Sequence, residues 1–311
     1  TESSELCSAG PALLSSPGFC SHTLDTMHIA WIGNSYVYYH DLPLMLAGLL
    51  AAGGVSSSSG QVTPGGQRLA QHAADPSVAA LLEQPWDVAV LQDNSAVPGG
   101  ADSGDRAASE SALRDFFAPR LAGRRVLLYG TWGHAAGCAY ARLRARYPDY
   151  ATMQRLTTAG CEGYTQLLRA AGAEAELAPV GDAFELVHRE EVEAGRDPLS
   201  PASLFRRLYA PDDLHPSRLG SYLAACVFFA ALTGAHVEDS AAASRFRPSE
   251  AEHDRKMREK HGWEPGELDD AAAARLQSAA KAAVEARAAR AGAAGEAPPS
   301  TSEGSALRTE L

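Results

Sequence analysis

The sequence predicts an α/β fold: a three-layer α/β/α sandwich around a five-stranded parallel sheet. Three observations predict it. Runs of strand character at residues 27–33, 56–63, 86–91, 125–129 and 175–180 are separated by helical patterns of roughly 10 to 20 residues, the rhythm of βαβ units. The run Trp86 to Leu91 is continuous and partly β-branched, as in a strand covered on both faces. The runs also close on small or polar residues, and open α/β sheets keep their ligand sites at the carboxyl ends of the strands.

The elements follow in order. Residues 1–26 are rich in Ser, Gly and Pro and read as an irregular lead-in. The first strand, Met27 to Gly33, stops at Gly33-Asn34-Ser35. A helix then runs from Asp41, its N-cap, to the stop at Gly53-Gly54. The second strand, Ser56 to Thr63, ends at Pro64-Gly65-Gly66, and Gln67 to Ala74 begins a helical turn. After the third strand, Gln92-Asp93-Asn94-Ser95 and a glycine-rich loop at 98–104 lead to a helix through Phe117. The fourth strand, Arg125 to Tyr129, precedes a helix at 150–171. The fifth, Ala175 to Val180, closes on Gly181-Asp182. Ser217 to Thr233 is an apolar helix with Gly234 beyond its end. Ser244 to His261 is highly charged and reads as a solvated helix or loop. Asp269 to Arg290 is an alanine-rich helix, and from Ala291 onward disorder is expected. The organisation is one domain over 27–290, with a core at 27–236 and C-terminal helices at 244–290.

Composition narrows the function. A formal net charge of −11 argues against nucleic acid or an anionic membrane surface as partner. No apolar run approaches the roughly 20 residues of a membrane span, so the protein reads as soluble. Of five cysteines, Cys226 lies in an apolar helix and reads as core. That leaves Cys7 with Cys20 and Cys138 with Cys161 as two candidate disulfides, which would place the protein in a secreted or endomembrane setting. From Thr1 onward there is no signal-peptide pattern. His40, His72 and His134 lack ligand spacing, so no metal is expected, and no cofactor motif such as G-x-G-x-x-G or Walker A is present.

Four polar clusters stand at strand ends or in the last loop: Gly33-Asn34-Ser35, Gly65-Gly66, Asp93-Asn94, and Asp212 with His215. Acyl transfer from an ester needs a hydroxyl nucleophile, an imidazole base, a carboxylate to orient it, and donors for the oxyanion. The clusters supply each once. Taken alone, Ser35 also fits a helix N-cap, and Asp212 with His215 fits a loop turn ahead of Pro216.

The order of these blocks resembles the SGNH (GDSL-type) hydrolase family, in particular a branch with a Gly-Asn-Ser-Tyr nucleophile motif. The resemblance is carried by IGNSY at 32–36, PGGQRLAQH at 64–72, WDVAVLQDNS at 86–95, LYGTWG at 128–133, residues 147–164, and LYAPDDLHPSRLG at 208–220. It implies a flavodoxin-like fold, Ser35 as nucleophile and oxyanion donor, and a glycine N–H donor at Gly66 or its neighbour Gly65. It further implies the Asn94 amide as third donor and Asp212 with His215 as the remaining triad members. The sequence departs from the pattern at Asn34, where aspartate is usual, at Gln92-Asp93 ahead of Asn94, and at Asp213, where glycine is usual. The resemblance implies a serine esterase, and the aromatic and polar segments expected to frame its cleft favour short-chain esters of small molecules or carbohydrates over long-chain lipids. The rival is a catalytically lapsed relative that binds a carbohydrate or a partner. Tyr36 and Trp132 are candidate cleft-lining residues, and the cleft is expected between segments 36–40, 99–105 and 132–140.

Overall fold

The computed structural model describes residues 26–100 and 102–295. The proposed Cys7–Cys20 pair and residues 296–311 lie outside the described residues. Strands β1 (Met27–Ile32), β2 (Ser57–Val62), β3 (Val88–Leu91), β4 (Arg125–Tyr129) and β5 (Glu174–Ala178) form one parallel sheet in the order β2-β1-β3-β4-β5. This is the flavodoxin-like order, in which the winding reverses beside β1 and opens a crevice at the carboxyl ends of β1 and β3.

Helix α1 (Ser35–Tyr38) and a 3-10 turn (Tyr39–Asp41) lead into α2 (Leu42–Ala52). Between β2 and β3 lie α3 (Leu69–His72) and α4 (Pro76–Leu82). Between β3 and β4 come α5 (Ser103–Ala112), a π turn at Leu113–Phe117, and α6 (Ala118–Leu121). Helix α7 (Tyr150–Ala170) connects β4 to β5, followed by α8 (Val180–Glu193) and α9 (Leu204–Arg207). Then come α10 (Arg218–Thr233), α11 (Ala241–Ser244), α12 (Glu252–His261) and α13 (Asp270–Gly295).

Strand side chains alternate between two cores. Ile29, Trp31, Val90 and Tyr129 face the side covered by α2, α8, α10 and α13, whereas Ala30, Ile32, Leu91 and Leu128 face α4, α5 and α7. Among the described residues no helix is long and apolar enough to cross a membrane.

Several expectations are corrected. The fifth strand stops at Ala178, because Pro179 ends it, and Val180-Gly181-Asp182 begin α8, a helix the sequence reading passes over. The charged stretch before residue 262 is not simply solvated, since Asp254 is 1% exposed. Helix α13 continues to Gly295, beyond the expected end at 290. Cys138 and Cys161 are free. Each is buried in a different cluster, Cys138 with Leu143, Tyr147 and Met153, and Cys161 under the sheet. Cys226 lies in the core, as expected.

Candidate active site

At the end of β1 the chain must turn within very little space. A Cβ on Gly33 would lie 2.7 Å from both Gln92 Oε1 and Val37 Cγ2, so any larger residue would push the Gln92 and Val37 side chains aside. The Gly33 carbonyl accepts from His72 Nε2 at 2.8 Å. Asn34 is the N-cap of α1: its Oδ1 accepts from the Tyr36 N–H at 3.2 Å, its Nδ2 donates to the Gln67 carbonyl at 2.9 Å, and its own N–H donates to Gln92 Oε1 at 2.8 Å. Ser35 is therefore not the cap but the first helical residue. Its backbone N–H has no intrahelical acceptor.

The Ser35 hydroxyl lies 2.9 Å from His215 Nε2, and His215 Nδ1 lies 2.6 Å from Asp212 Oδ2. A carboxylate facing Nδ1 fixes the proton there and leaves Nε2 as the acceptor for the serine. The loop that brings the pair into place is built by Asp212 itself, whose Oδ1 accepts from the Leu214 and His215 N–H groups at 3.1 and 3.0 Å. Burial works against the Asp212 carboxylate, but the bonds from His215 and from this backbone outweigh it and hold its pKa below the usual range. Asp213 turns away to Arg206, 2.8 Å distant, in a left-handed conformation with φ of 60°.

Gly66 occupies the third position of the Pro64–Gln67 turn with φ of 72°, a conformation that favours glycine. Asn94 is held by its Oδ1, which accepts from the Ala96 N–H at 3.1 Å, while its Nδ2 makes a long 3.4 Å contact with the Gly66 carbonyl. Ser35, His215, Gly65, Gly66, Asn94 and Tyr36 all line one open cleft of about 250 Å³, walled also by Tyr38, Tyr39, Tyr140 and Leu214. A second hollow of about 330 Å³, lined by Arg68, Gln71, Asp102, Asp105 and Arg142, adjoins it through Gly66, Asn94 and Tyr140.

Trp132 does not line the cleft. It is 0% exposed, stacked between Tyr36 at 4.5 Å and Phe184 at 4.3 Å, and its Nε1 donates to the Leu214 carbonyl at 3.3 Å. The Tyr36 hydroxyl donates to the same carbonyl at 2.9 Å. These two aromatics support the histidine loop from beneath. Behind them His134, pushed down to about 3 chiefly by burial, accepts the Ala139 N–H on Nδ1 and so donates from Nε2 to Ser95 Oγ at 3.1 Å.

No family model matches the chain, and no curated protein matches it. Solved structures do. A DUF4886 family protein from Bacteroides uniformis superposes with a TM-score of 0.60 at 19% identity, over 84% of this chain and 95% of its own. The fold is shared. Axe2, an acetylxylan esterase from Geobacillus stearothermophilus, superposes with a TM-score of 0.45 at 15% identity, over 67% of this chain and 94% of its own. TesA gives 0.42 at 15% identity, over 67% and 99%.

Sequence reasoning missed Gln92, which clamps the Gly33–Ser35 turn, and Tyr39, whose ring stacks on His215 at 4.2 Å and 7°. Gln92 stood in view at the carboxyl end of a strand. Tyr39 fell within an expected cleft segment without a role of its own.

Proposed function

We propose that the protein is a serine esterase of the SGNH type, cleaving short-chain, acetyl-type esters through Ser35, His215 and Asp212. The observation that carries this reading is the unbroken chain from Asp212 Oδ2 through the His215 ring to Ser35 Oγ, opening on a cleft between Gly66 and Asn94. His215 Nε2 takes the Ser35 proton as Oγ attacks the ester carbonyl, and Asp212 stabilises the imidazolium. The oxyanion rests against the N–H groups of Ser35 and Gly66 and the second Nδ2 hydrogen of Asn94. Collapse expels the alkoxide, which takes the proton from His215, and water activated by the same ring then releases the acid.

The cleft offers aromatic and polar walls with a single aliphatic side chain, Leu214, which favours a short acyl group over a long aliphatic one. The polar second hollow suits a hydroxylated alcohol, such as a carbohydrate. Ser35→Ala should lower turnover of p-nitrophenyl acetate by about 10⁴-fold or more and abolish labelling by a fluorophosphonate probe; undiminished turnover in that variant sinks the assignment. Across p-nitrophenyl esters from acetate to palmitate, activity should be greatest at acetate, and a maximum at long chains contradicts the acyl-size reading.

A further inference from the structure

Helix α12 closes on the site from outside the sheet, and one buried carboxylate ties it to both halves of the proposed triad. Asp254 Oδ1 accepts from His40 Nδ1. Its Oδ2 accepts from Arg218 Nη2 and from the Ala251 N–H, each at 2.9 Å. His40 lies on the segment that follows Ser35, and Arg218 begins the helix that follows His215. The other nitrogen of the same ring, His40 Nε2, lies 3.0 Å from the Pro216 carbonyl, directly after His215. A single side chain on the serine segment thus bridges α12 to the histidine loop.

A second line of contact runs beside it. Tyr39, stacked on the His215 ring, also packs against His253 of α12, with ring centres 4.1 Å apart. His253 Nδ1 accepts the His40 N–H at 3.3 Å. The backbone between these contacts is constrained, with φ of 54° at His40 and 51° at Asp41, values few residues other than glycine adopt. Such a conformation persists where its surroundings over-determine it, and here three contacts from His40 do so. Burial opposes the Asp254 carboxylate, yet the His40 and Arg218 bonds hold its pKa well below the ordinary range, so it remains a charged anchor.

We propose that Asp254, through His40 and Arg218, is a positioning residue: α12 is a strut that sets the approach of His215 Nε2 to Ser35 Oγ. This rests on the esterase reading above. His40, His253 and Asp254 also have the chemistry of a metal site, with ligand atoms within 4.8 Å of one another. The strut accounts for the geometry better, because both His40 nitrogens and both Asp254 oxygens already have partners.

The test is Asp254→Asn, followed by p-nitrophenyl acetate kinetics and by the second-order rate of fluorophosphonate labelling. Misplacement on the ångström scale should lower kcat by about 10- to 100-fold, with KM within about twofold and the labelling rate falling in parallel. Should that variant fail to fold, Arg218→Met carries the test, with Arg218→Lys expected to recover most of the lost kcat by restoring a cation at Asp254. An unchanged kcat and labelling rate overturns the proposal, and so does a loss that only tracks the fraction of folded protein. Inactivation of the wild type by EDTA with recovery on adding Zn²⁺ overturns it in favour of a metal site. A wild type that neither turns over the ester nor takes the probe fails the esterase reading itself, and the strut with it.

Discussion

Asp212 and Asp213 are adjacent in the chain, but their carboxylates serve different partners. Asp212 points back along the loop to two N–H groups and the His215 ring, while the left-handed turn at Asp213 sends its carboxylate to Arg206. A φ of 60° is a conformation that aspartate tolerates at modest cost. Asp212→Asn should lower kcat by about 10³- to 10⁴-fold through the wrong tautomer of His215. Asp213→Asn should stay within a few-fold, having lost only a half-exposed ion pair. Steady-state kinetics of the two variants decides between the carboxylates, and equal losses refute the division. Asn34 has an equally local cause. It must donate to the Gln67 carbonyl and accept from Tyr36, which an ionised aspartate cannot do.

At the scale of elements, the end of β3 is fastened by Asp93. Its Oδ1 accepts from the Leu69 N–H at the start of α3 at 3.1 Å and from the Asn94 N–H at 2.8 Å, and its Oδ2 accepts from the Tyr164 hydroxyl of α7 at 3.2 Å. Burial, only partly offset by these bonds, pushes its pKa from 3.8 up to about 6. Because folding raises this pKa, its contribution is complete below about pH 4 and is lost as pH rises through about 6, a swing of about 3 kcal/mol. Asp93→Asn should remove the swing. In urea unfolding, the variant-minus-wild-type difference should be more favourable at pH 7.5 than at pH 4.5, and an equal difference at both leaves Asp93 without this role. The existence of the strands was legible because apolar runs and polar punctuation are local signals. The β5–α8 boundary was not, because Val180 continues the apolar run and the stop is Pro179, whose effect depends on the helix behind it. Ser35, Asp212 and His215 were legible as an ordered set of blocks. Asp254 was illegible among the charges of α12, because its burial is created by His40 and Arg218, which are distant in sequence. Trp132 was misplaced for a similar reason, since Tyr36 and Phe184 reach it only in the fold.

For the whole molecule, the question is whether the C-terminal helices belong to the same cooperative unit as the sheet. Helix α13 turns Ala272, Ala273, Leu276, Ala279, Ala280 and Ala283 inward to the core that also holds Trp31 and Phe228. Small side chains on that face let α13 lie close to α10, and Gln277 Nε2 crosses the contact to the Tyr222 hydroxyl at 2.7 Å. Near its start Arg275 reaches Glu191 on α8 at 2.9 Å, and further along Arg287 reaches Asp182 on α8 at 2.7 Å. An element that fills a shared core cannot unfold without exposing it, so α13 and the sheet should melt together. Leu276→Ala, at a fully buried position, should lower unfolding stability by about 2 to 5 kcal/mol. It should shift one transition seen at the same midpoint by far-UV and near-UV circular dichroism. If far-UV signal is lost first while the near-UV signal of the buried tryptophans stays at its wild-type midpoint, α13 is a separate unit packed on a self-sufficient sheet, and the single-domain reading fails.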